Sequence, residues 1–478
     1  PFWSQRDYRT RRHRAAMPVL ALVLAASALA LAQGRQLTPP KKAHRRQHAQ
    51  KHAQYFWPTS RGKVGSYGNT EYDGPSDWAH SLAWQWHHPA GRYNTITIGV
   101  LIDDKKNIYL AADDAIRKFN EQGEMLWSYT PQSSIPTNPC LSDGTLYGST
   151  RSGQVFALDM GTGKQLWAAQ AGEGQSAEAS SIQAMDGVVI AGGNPNNGTA
   201  DTTIFGLSAE DGRKLWSFNP DSPVVNFMPL SAGDGTFVYQ DVTGKAYRHK
   251  VKDGSVVWKA GGRPASWTNA GAMLGPNGLV YAVSLHGCCC GSCKNTDERT
   301  TGDLSAYSLQ DGSLVWRKRT RRPPNAYPVV GQLSMGAGLS VVMAQGQHCH
   351  PFGSSGMSAY DAATGAEQWH FTAGRNPHMG CAGDLEGEKT RVQLGIRPAC
   401  RPPPWSAPTI DARGVIYAGN QDGQLYAIED LDGDGKFQGK QEVKTLDTLS
   451  AFNTPGSAHA PGMLAIASCD GLYVFHAE

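Results

Sequence analysis

The sequence predicts an all-β fold: an eight-bladed β-propeller of four-stranded antiparallel blades, closed by an N-terminal strand joining the C-terminal blade. Three observations carry this prediction. The composition is rich in turn and aromatic residues, with 55 Gly, 28 Pro, 13 Trp and 17 Tyr in 478 residues, which suits many short strands joined by tight turns. No sustained 3.6-residue apolar periodicity runs through the chain after residue 60. A strand–turn–strand phrase ending in Trp also recurs six times, and self-similarity at this period is the mark of a repeat architecture.

The phrase reads GEMLW at residues 123–127, GKQLW at 163–167, GRKLW at 212–216, GSVVW at 254–258, GSLVW at 312–316 and GAEQW at 365–369. The intervals between the tryptophans are 40, 49, 42, 58 and 53 residues, so the variation falls in loops. A second phrase precedes each, clearest as DGTLYGSTRSGQVFALD at residues 143–159: a strand, a Gly-bearing turn and another strand. One four-stranded sheet cannot bury both faces alone, so the blades must stack around a ring. The Trp of each outer strand is expected to pack between neighbouring blades, with an upper bound of about 4–6 kcal/mol for full burial. A seventh unit spans residues 405–429 without the Trp phrase. An eighth, at residues 457–478, supplies inner strands only. Its outer strand is expected from LAWQW at residues 82–86, where Trp86 lies 41 residues before Trp127, in repeat phase. Both chain ends then share one blade and no sheet edge is left to close the ring.

Residues 1–32 read as a leader and signal peptide. An apolar run at residues 19–32 follows Arg9, Arg11, Arg12 and Arg14, and is short for a spanning helix. Met17 directly before it is a candidate initiator, which would make residues 1–16 upstream read-through. Residues 33–70 contain no Asp or Glu and read as a basic disordered linker, leaving residues 71–478 as the propeller. The leader points to the secretory pathway or another exported compartment; a basic, acid-free stretch behind it also fits a complex plastid. Residues 1–52 carry 11 Lys and Arg and one acid, so the remaining chain has a net charge of −7. This argues against nucleic acid as a partner of the propeller, and the mature chain is expected to lack a membrane span.

The phrases FALDMGTGKQLW (residues 156–167) and SAYDAATGAEQW (358–369) resemble the PQQ-type repeat. That repeat is shared by quinoprotein alcohol dehydrogenases and by non-catalytic outer-membrane assembly lipoproteins of bacteria. The opening FWPTSRGKVGSYGNT at residues 56–70 is similar to the Trp-rich lead-in of such propellers. The resemblance spans Tyr55 to the C-terminus and is specific for fold rather than activity.

Two candidate sites stand out. Cys288, Cys289, Cys290 and Cys293 lie in an insertion of blade five, Cys349 in the equivalent loop of blade six, and Cys381 and Cys400 in the connection from blade six to seven. Strand parity gathers these seven on one rim, whereas Cys140 and Cys469 read as core thiols. Three readings of the rim stay open. One is disulfide stapling in an exported chain. Another is a metal site using Cys290-x2-Cys293 with His286, His348, His350 and His378. The third is a vicinal disulfide like that of methanol-type quinoproteins, although that pair belongs to an early blade.

The second candidate is the acidic loop DLDGDGKFQGKQEV at residues 430–443. Asp430, Asp432 and Asp434 alternate, Gly435 allows a sharp turn, and Lys436 and Gln438 fall at the next alternate positions of a Ca²⁺ loop. Position twelve is Gln441 rather than Glu, and a solvated acidic turn is the competing reading. Lys318, Arg319, Arg321 and Arg322 form a basic run, read as a solvated loop or a dock for an anionic partner. Residues 197–199 form a glycosylation sequon.

The function expected is an exported, non-catalytic binding or scaffolding propeller whose disulfide-stapled rim meets a protein partner. The alternatives are a PQQ- and Ca²⁺-dependent dehydrogenase of alcohols or sugars, and metal or redox handling at the Cys rim. For the dehydrogenase, Trp267 and Asn269 in SWTNAG would serve as cofactor floor and polar ligand on the inner strand of blade five; no acid base is identifiable by motif.

Overall fold

Alternating strand residues separated by Gly turns give short antiparallel ladders. In blade one these are Val100–Ile102, Ile108–Ala111, Ile116–Phe119 and Met125–Tyr129. The computed structural model describes residues 55–477 apart from 66, 90–98, 175–179, 195–199, 287–300, 335–337, 347–353, 376–392, 395–403, 438 and 453. These residues form eight four-stranded antiparallel sheets. Blades two to seven occupy residues 140–170, 183–218, 230–261, 273–319, 329–375 and 409–447. Blade eight joins Ala458–Ala460, Met463–Ala467 and Gly471–His476 to Leu82–His87, so the N-terminal strand closes the ring as the repeat count predicts. Helix among the described residues is limited to single turns such as Trp78–Ser81 and Gly439–Glu442.

The blades are joined by one repeated contact. In five successive blades the outer-strand Trp lays its ring against the Gly turn of the next blade. Its indole N–H donates to a backbone carbonyl there: Trp127 to Met160 (3.1 Å), Trp167 to Ala209 (3.0 Å), Trp216 to Val251 (2.9 Å), Trp258 to Leu309 (2.9 Å) and Trp316 to Ala362 (3.1 Å). The receiving glycines are needed twice over. Gly163, Gly212, Gly254, Gly312 and Gly365 have φ between 68° and 73°, and a Cβ on any of them would come within 2.5–2.8 Å of the preceding blade's Trp ring.

The same contact corrects the phase of blade eight. Trp84, not Trp86, donates to blade one, at Glu121 O (2.9 Å), and a Cβ on Gly123 would lie 2.8 Å from the Trp84 ring. The ladder shifts register between Leu82 and Trp84, as it does between Gln165 and Trp167 in blade two. The repeat position therefore falls two residues earlier. Trp86, on the same face of the strand, instead packs against Phe119 (5.7 Å between centroids) with the Arg117 guanidinium over its ring.

Blade seven lacks the Trp phrase, and its two contacts are improvised. Towards blade six, Phe437 of the acidic loop meets Trp369 edge to face at 4.8 Å. Towards blade eight, Trp78 from the first helical turn packs on Tyr417 and Phe475, its indole donating to Lys444 O (3.4 Å).

The predicted disordered linker ends too late. Tyr55, Trp57, Ser60, Arg61, Tyr67 and Thr70 are all buried, so the lead-in from Tyr55 is part of the propeller. Aromatic anchors within an otherwise basic, acid-free stretch are what order it.

The docking contact is testable by substitution. Gly312→Ala should lower the unfolding free energy by about 2–4 kcal/mol, through the positive φ and overlap with Trp258. Gly144→Ala, at φ 80° with nothing within 4 Å of its Cβ, should lose only about 1–2 kcal/mol. Urea unfolding of both variants reads the difference.

Candidate functional site

In a propeller the innermost strands converge on a central channel. Here the chain's own lead-in crosses that channel. Trp57 exchanges both backbone hydrogen bonds with Ile102 of blade one (2.9 and 3.0 Å), and the Pro58 carbonyl accepts from Leu141 N of blade two (2.8 Å). The Ser60 hydroxyl meets that of Ser181 on the approach to blade three (2.9 Å). Tyr67 donates to Ser231 O of blade four (2.9 Å), Asn69 to Val330 O of blade six (2.6 Å), and Thr70 N to Ile410 O of blade seven (3.0 Å). A segment touching the inner edges of six blades can only lie across the axis.

Arg61 sits at its centre, fully buried. Its guanidinium donates to Ala407 O (3.3 Å) and Pro408 O (2.7 Å), while Nε has no hydrogen-bond partner among the described residues. Gly68 and Gly456 flank it so closely that a Cβ would approach the guanidinium nitrogens to 2.3 and 3.0 Å. Burial pulls its pKa down to about 9, against a smaller upward pull from Tyr327, so the group remains a cation at neutral pH. A buried charge held by carbonyl dipoles is costly to place, and its role is to fix the plug rather than to add much net stability.

Around this plug runs a belt of small polar residues from successive blades. Asn138 donates to Ser180 O (3.2 Å), Asn226 to Asn269 O (3.0 Å), and Asn269 N to Asn325 Oδ1 (3.0 Å), while Tyr327 donates to Asn226 O. The belt hydrogen-bonds to itself from blade to blade. A buried carboxylate, Asp201, reaches it and accepts from the Ser180 hydroxyl (3.3 Å). His459 closes it at blade eight, with the Ser457 and Thr409 hydroxyls 3.0 and 3.1 Å from Nε2.

Trp267 and Asn269 do not lie on the inner strand of blade five. That strand is Met273–Leu274, and both residues precede it in the connection from blade four. Trp267 is 40% exposed, whereas Asn269 is buried in the belt with its backbone N–H and C=O bonded to Asn325 and Asn226. Side-chain amides from neighbouring approaches, which no motif encodes, bond its backbone and hold this segment off the ladder. A quinone site needs an aromatic floor and an acid base; Asp201 is a carboxylate at the belt, but Trp267, exposed as it is, supplies no buried floor, so the described residues do not fit it.

Cys288, Cys289, Cys290, Cys293, Cys349, Cys381 and Cys400 lie outside the described residues, as does the sequon at 197–199. Their flanking strands do place the stems on one face. The insertion after Leu285, the loop after Gln345 and the connection after Arg375 all leave their blades on the same side. Cys140 is a free, buried thiol whose sulfur accepts from Ala184 N (3.2 Å), and burial pushes its pKa up to about 12; it is chemically inert. Cys469 is also buried, but it is disulfide-bonded and not the free core thiol expected.

The acidic loop lies on the opposite face, between the third and fourth strands of blade seven. One carboxylate oxygen from each of Asp430, Asp432 and Asp434 lies within 4.8 Å of the others. Asp430 caps the turn by accepting from Gly433 N (2.9 Å) and Gly435 N (3.2 Å), and the Lys436 ammonium lies 3.2 Å from Asp434. Gln438 falls outside the described residues. Sequence spacing misses Glu442, one residue past position twelve, which is buried and accepts from Leu431 N (3.1 Å). The arrangement can converge on one hard cation and can equally stand as a self-capped turn.

The belt carries a pH signature. Burial pushes the His459 imidazole down to about 4, with Asp411 opposing and Arg61 adding to the shift. The unfolded chain takes up this proton near 6.5. Stability should therefore be complete above about pH 6.5 and fall as pH drops towards 4, by up to about 1.4 kcal/mol per unit. Urea midpoints at pH 7.5, 5.5 and 4.5 should show this slope, and His459→Asn should reduce it by one proton's share, leaving that of His370, which burial and the neighbouring Arg322 and Arg321 likewise push down to about 4.

Comparison with known proteins agrees with this architecture. The family model described as outer membrane protein assembly factor BamB matches residues 112–270, 200–435 and 300–472. The Yersinia pestis protein of that name is 24% identical over 183 residues, covering 38% of this chain and 43% of its own length. Among solved structures, BamB from Moraxella catarrhalis superposes with a TM-score of 0.56 at 15% identity, covering 83% of this chain and 99% of that one. Quinohemoprotein alcohol dehydrogenase from Comamonas testosteroni superposes at 0.57 and 13% identity, covering 88% and 80%. These two likenesses concern the fold alone. The matched repeats extend over more than half of the chain, which belongs to the PQQ-repeat family described as outer membrane protein assembly factor BamB.

Proposed function

We propose that this chain is an exported, non-catalytic scaffolding propeller, a rigid ring that presents its rims to a protein partner. One observation carries the reading: the channel, where a small substrate or cofactor would sit in a propeller enzyme, is occupied by the lead-in and sealed around Arg61. A ring filled by its own chain is preorganised for surface contacts at little entropic cost. The assembly role in the names of the BamB relatives points the same way. Export rests on the leader at residues 1–32, and stapling of the rim on the cysteines of the three insertions. No helix among the described residues is long and apolar enough to cross a membrane. The competing reading, a PQQ- and Ca²⁺-dependent dehydrogenase, would need the lead-in to leave the channel. The acidic loop is proposed as a calcium staple between blades six and seven, since Phe437 at its end packs on Trp369.

Calorimetry on the full chain tests both parts. Calcium alone should bind, and the double variant Asp432→Asn/Asp434→Asn should abolish that heat; equal heat from the variant would remove the staple. PQQ added in excess calcium should then give no saturable heat. Saturable PQQ binding with dye reduction by alcohols or sugars would replace the scaffold with a quinoprotein.

A further inference from the structure

The outer strand of each blade leaves one row of backbone N–H and C=O groups unpaired. Blade five differs from the others in what it places along that edge. Its outer strand, Leu314–Arg319, carries Arg317, Lys318 and Arg319, whereas each of the other seven outer strands carries one Lys or Arg or none. Charges on an edge commonly serve to discourage aggregation. Seven edges of the same ring manage with at most one, so protection does not account for three.

The three cations have no carboxylate partner among the described residues. Arg317 donates to the Ser305 and Tyr307 hydroxyls (3.0 and 3.3 Å) and Arg319 to the Thr301 hydroxyl (2.9 Å). Beyond them, Arg321 forms a bidentate pair with Glu367 (2.8 and 2.9 Å). The register shift opposite Ala306 and Tyr307 leaves Leu314 and Val315 both outward, 52% and 49% exposed. The edge thus offers, in order, a pair of apolar contacts, a free hydrogen-bonding ladder and a cationic end, on a propeller body of net charge −7. The chain's own acid-free basic linker would be repelled by it.

We propose that the outer edge of blade five is the docking strand for an acidic, extended segment of a partner protein. The segment would add as a fifth strand, its backbone pairing with Leu314–Arg319, its apolar side chains on Leu314 and Val315, and its carboxylates on Arg317, Lys318 and Arg319. This names the partner chemistry of the scaffold and rests on that reading.

The probe is a fluorescein-labelled twelve-residue peptide alternating Glu and Val, read by anisotropy against the full chain. A twin with Pro at every Val keeps the charge and cannot extend a ladder. Saturable binding is expected, weakened on the order of tenfold by the twin, by R317S/K318S/R319S, and by raising NaCl from about 50 to 500 mM. The apolar-edge variant L314E/V315E should weaken it similarly and covers the case in which the triple variant fails to fold. Lys259→Ser on the blade-four edge should change nothing. Equal affinity for the twin, or undiminished affinity in both edge variants, would overturn the proposal. So would binding to anionic phospholipid vesicles in place of the peptide. PQQ titration reads the channel and this assay the rim, so failure of the scaffold and failure of the docking strand are separate results.

Discussion

The ring depends on the fit of one indole into one glycine turn. A blade is a twisted four-stranded sheet with two apolar faces, and it is stable only with a neighbour on each side. The Trp of one blade fills the hollow left by the missing Cβ of the next blade's turn glycine, and its N–H satisfies a carbonyl exposed there. Shape, burial and hydrogen bonding are settled by the same pair. The local bulge that precedes each Trp sets the angle at which the outer strand meets its neighbour. Where the pair is lost, at blade seven, the chain recruits Phe437 from one side and Trp78 from the other. The acidic loop therefore has a packing role whatever it binds.

Closure places the two chain ends in one blade and brings the lead-in to the channel mouth. A ring of eight leaves an axial space that its inner strands do not fill. Small polar side chains and backbone approaches bond across it, and the lead-in supplies the remaining bulk. Arg61 is long enough to reach from the face into the belt, and flanking Gly68 and Gly456 leave room for its guanidinium. The outcome is a core polar by design, in which each group answers to neighbours from different blades.

The fold leaves the rims free. The strand ends that lead into the insertions of blade five, of blade six and of the connection to blade seven lie on one face, and the acidic loop sits on the other. The propeller body carries a net charge of −7, and blade five gathers three cations at an unpaired edge. Such polarity on a rigid disc favours oriented association, since complementary charge sets encounter and register more than it sets affinity.

The sequence by itself determined the architecture. Six Trp phrases, their spacing and the inner strands without an outer partner were enough to count eight blades and to pair residues 82–86 with the C-terminal blade, because the contact that builds the ring is local and repeated. Where the information is not local, the sequence stopped short. The choice of Trp84 over Trp86 depends on a register shift, and two tryptophans on one face of a strand look alike without it. The lead-in read as a basic linker because its anchors, Trp57, Arg61 and Tyr67, find their partners at three distant blades, one, seven and four. Trp267 and Asn269 were legible as polar-aromatic candidates, but their removal from the strand follows from bonds to Asn226 and Asn325, far along the chain. The three aspartates were legible as a cation loop, whereas Glu442 enters only through the fold of the following helical turn. Periodic contacts write themselves into sequence; contacts across the axis are made only when the ring has closed.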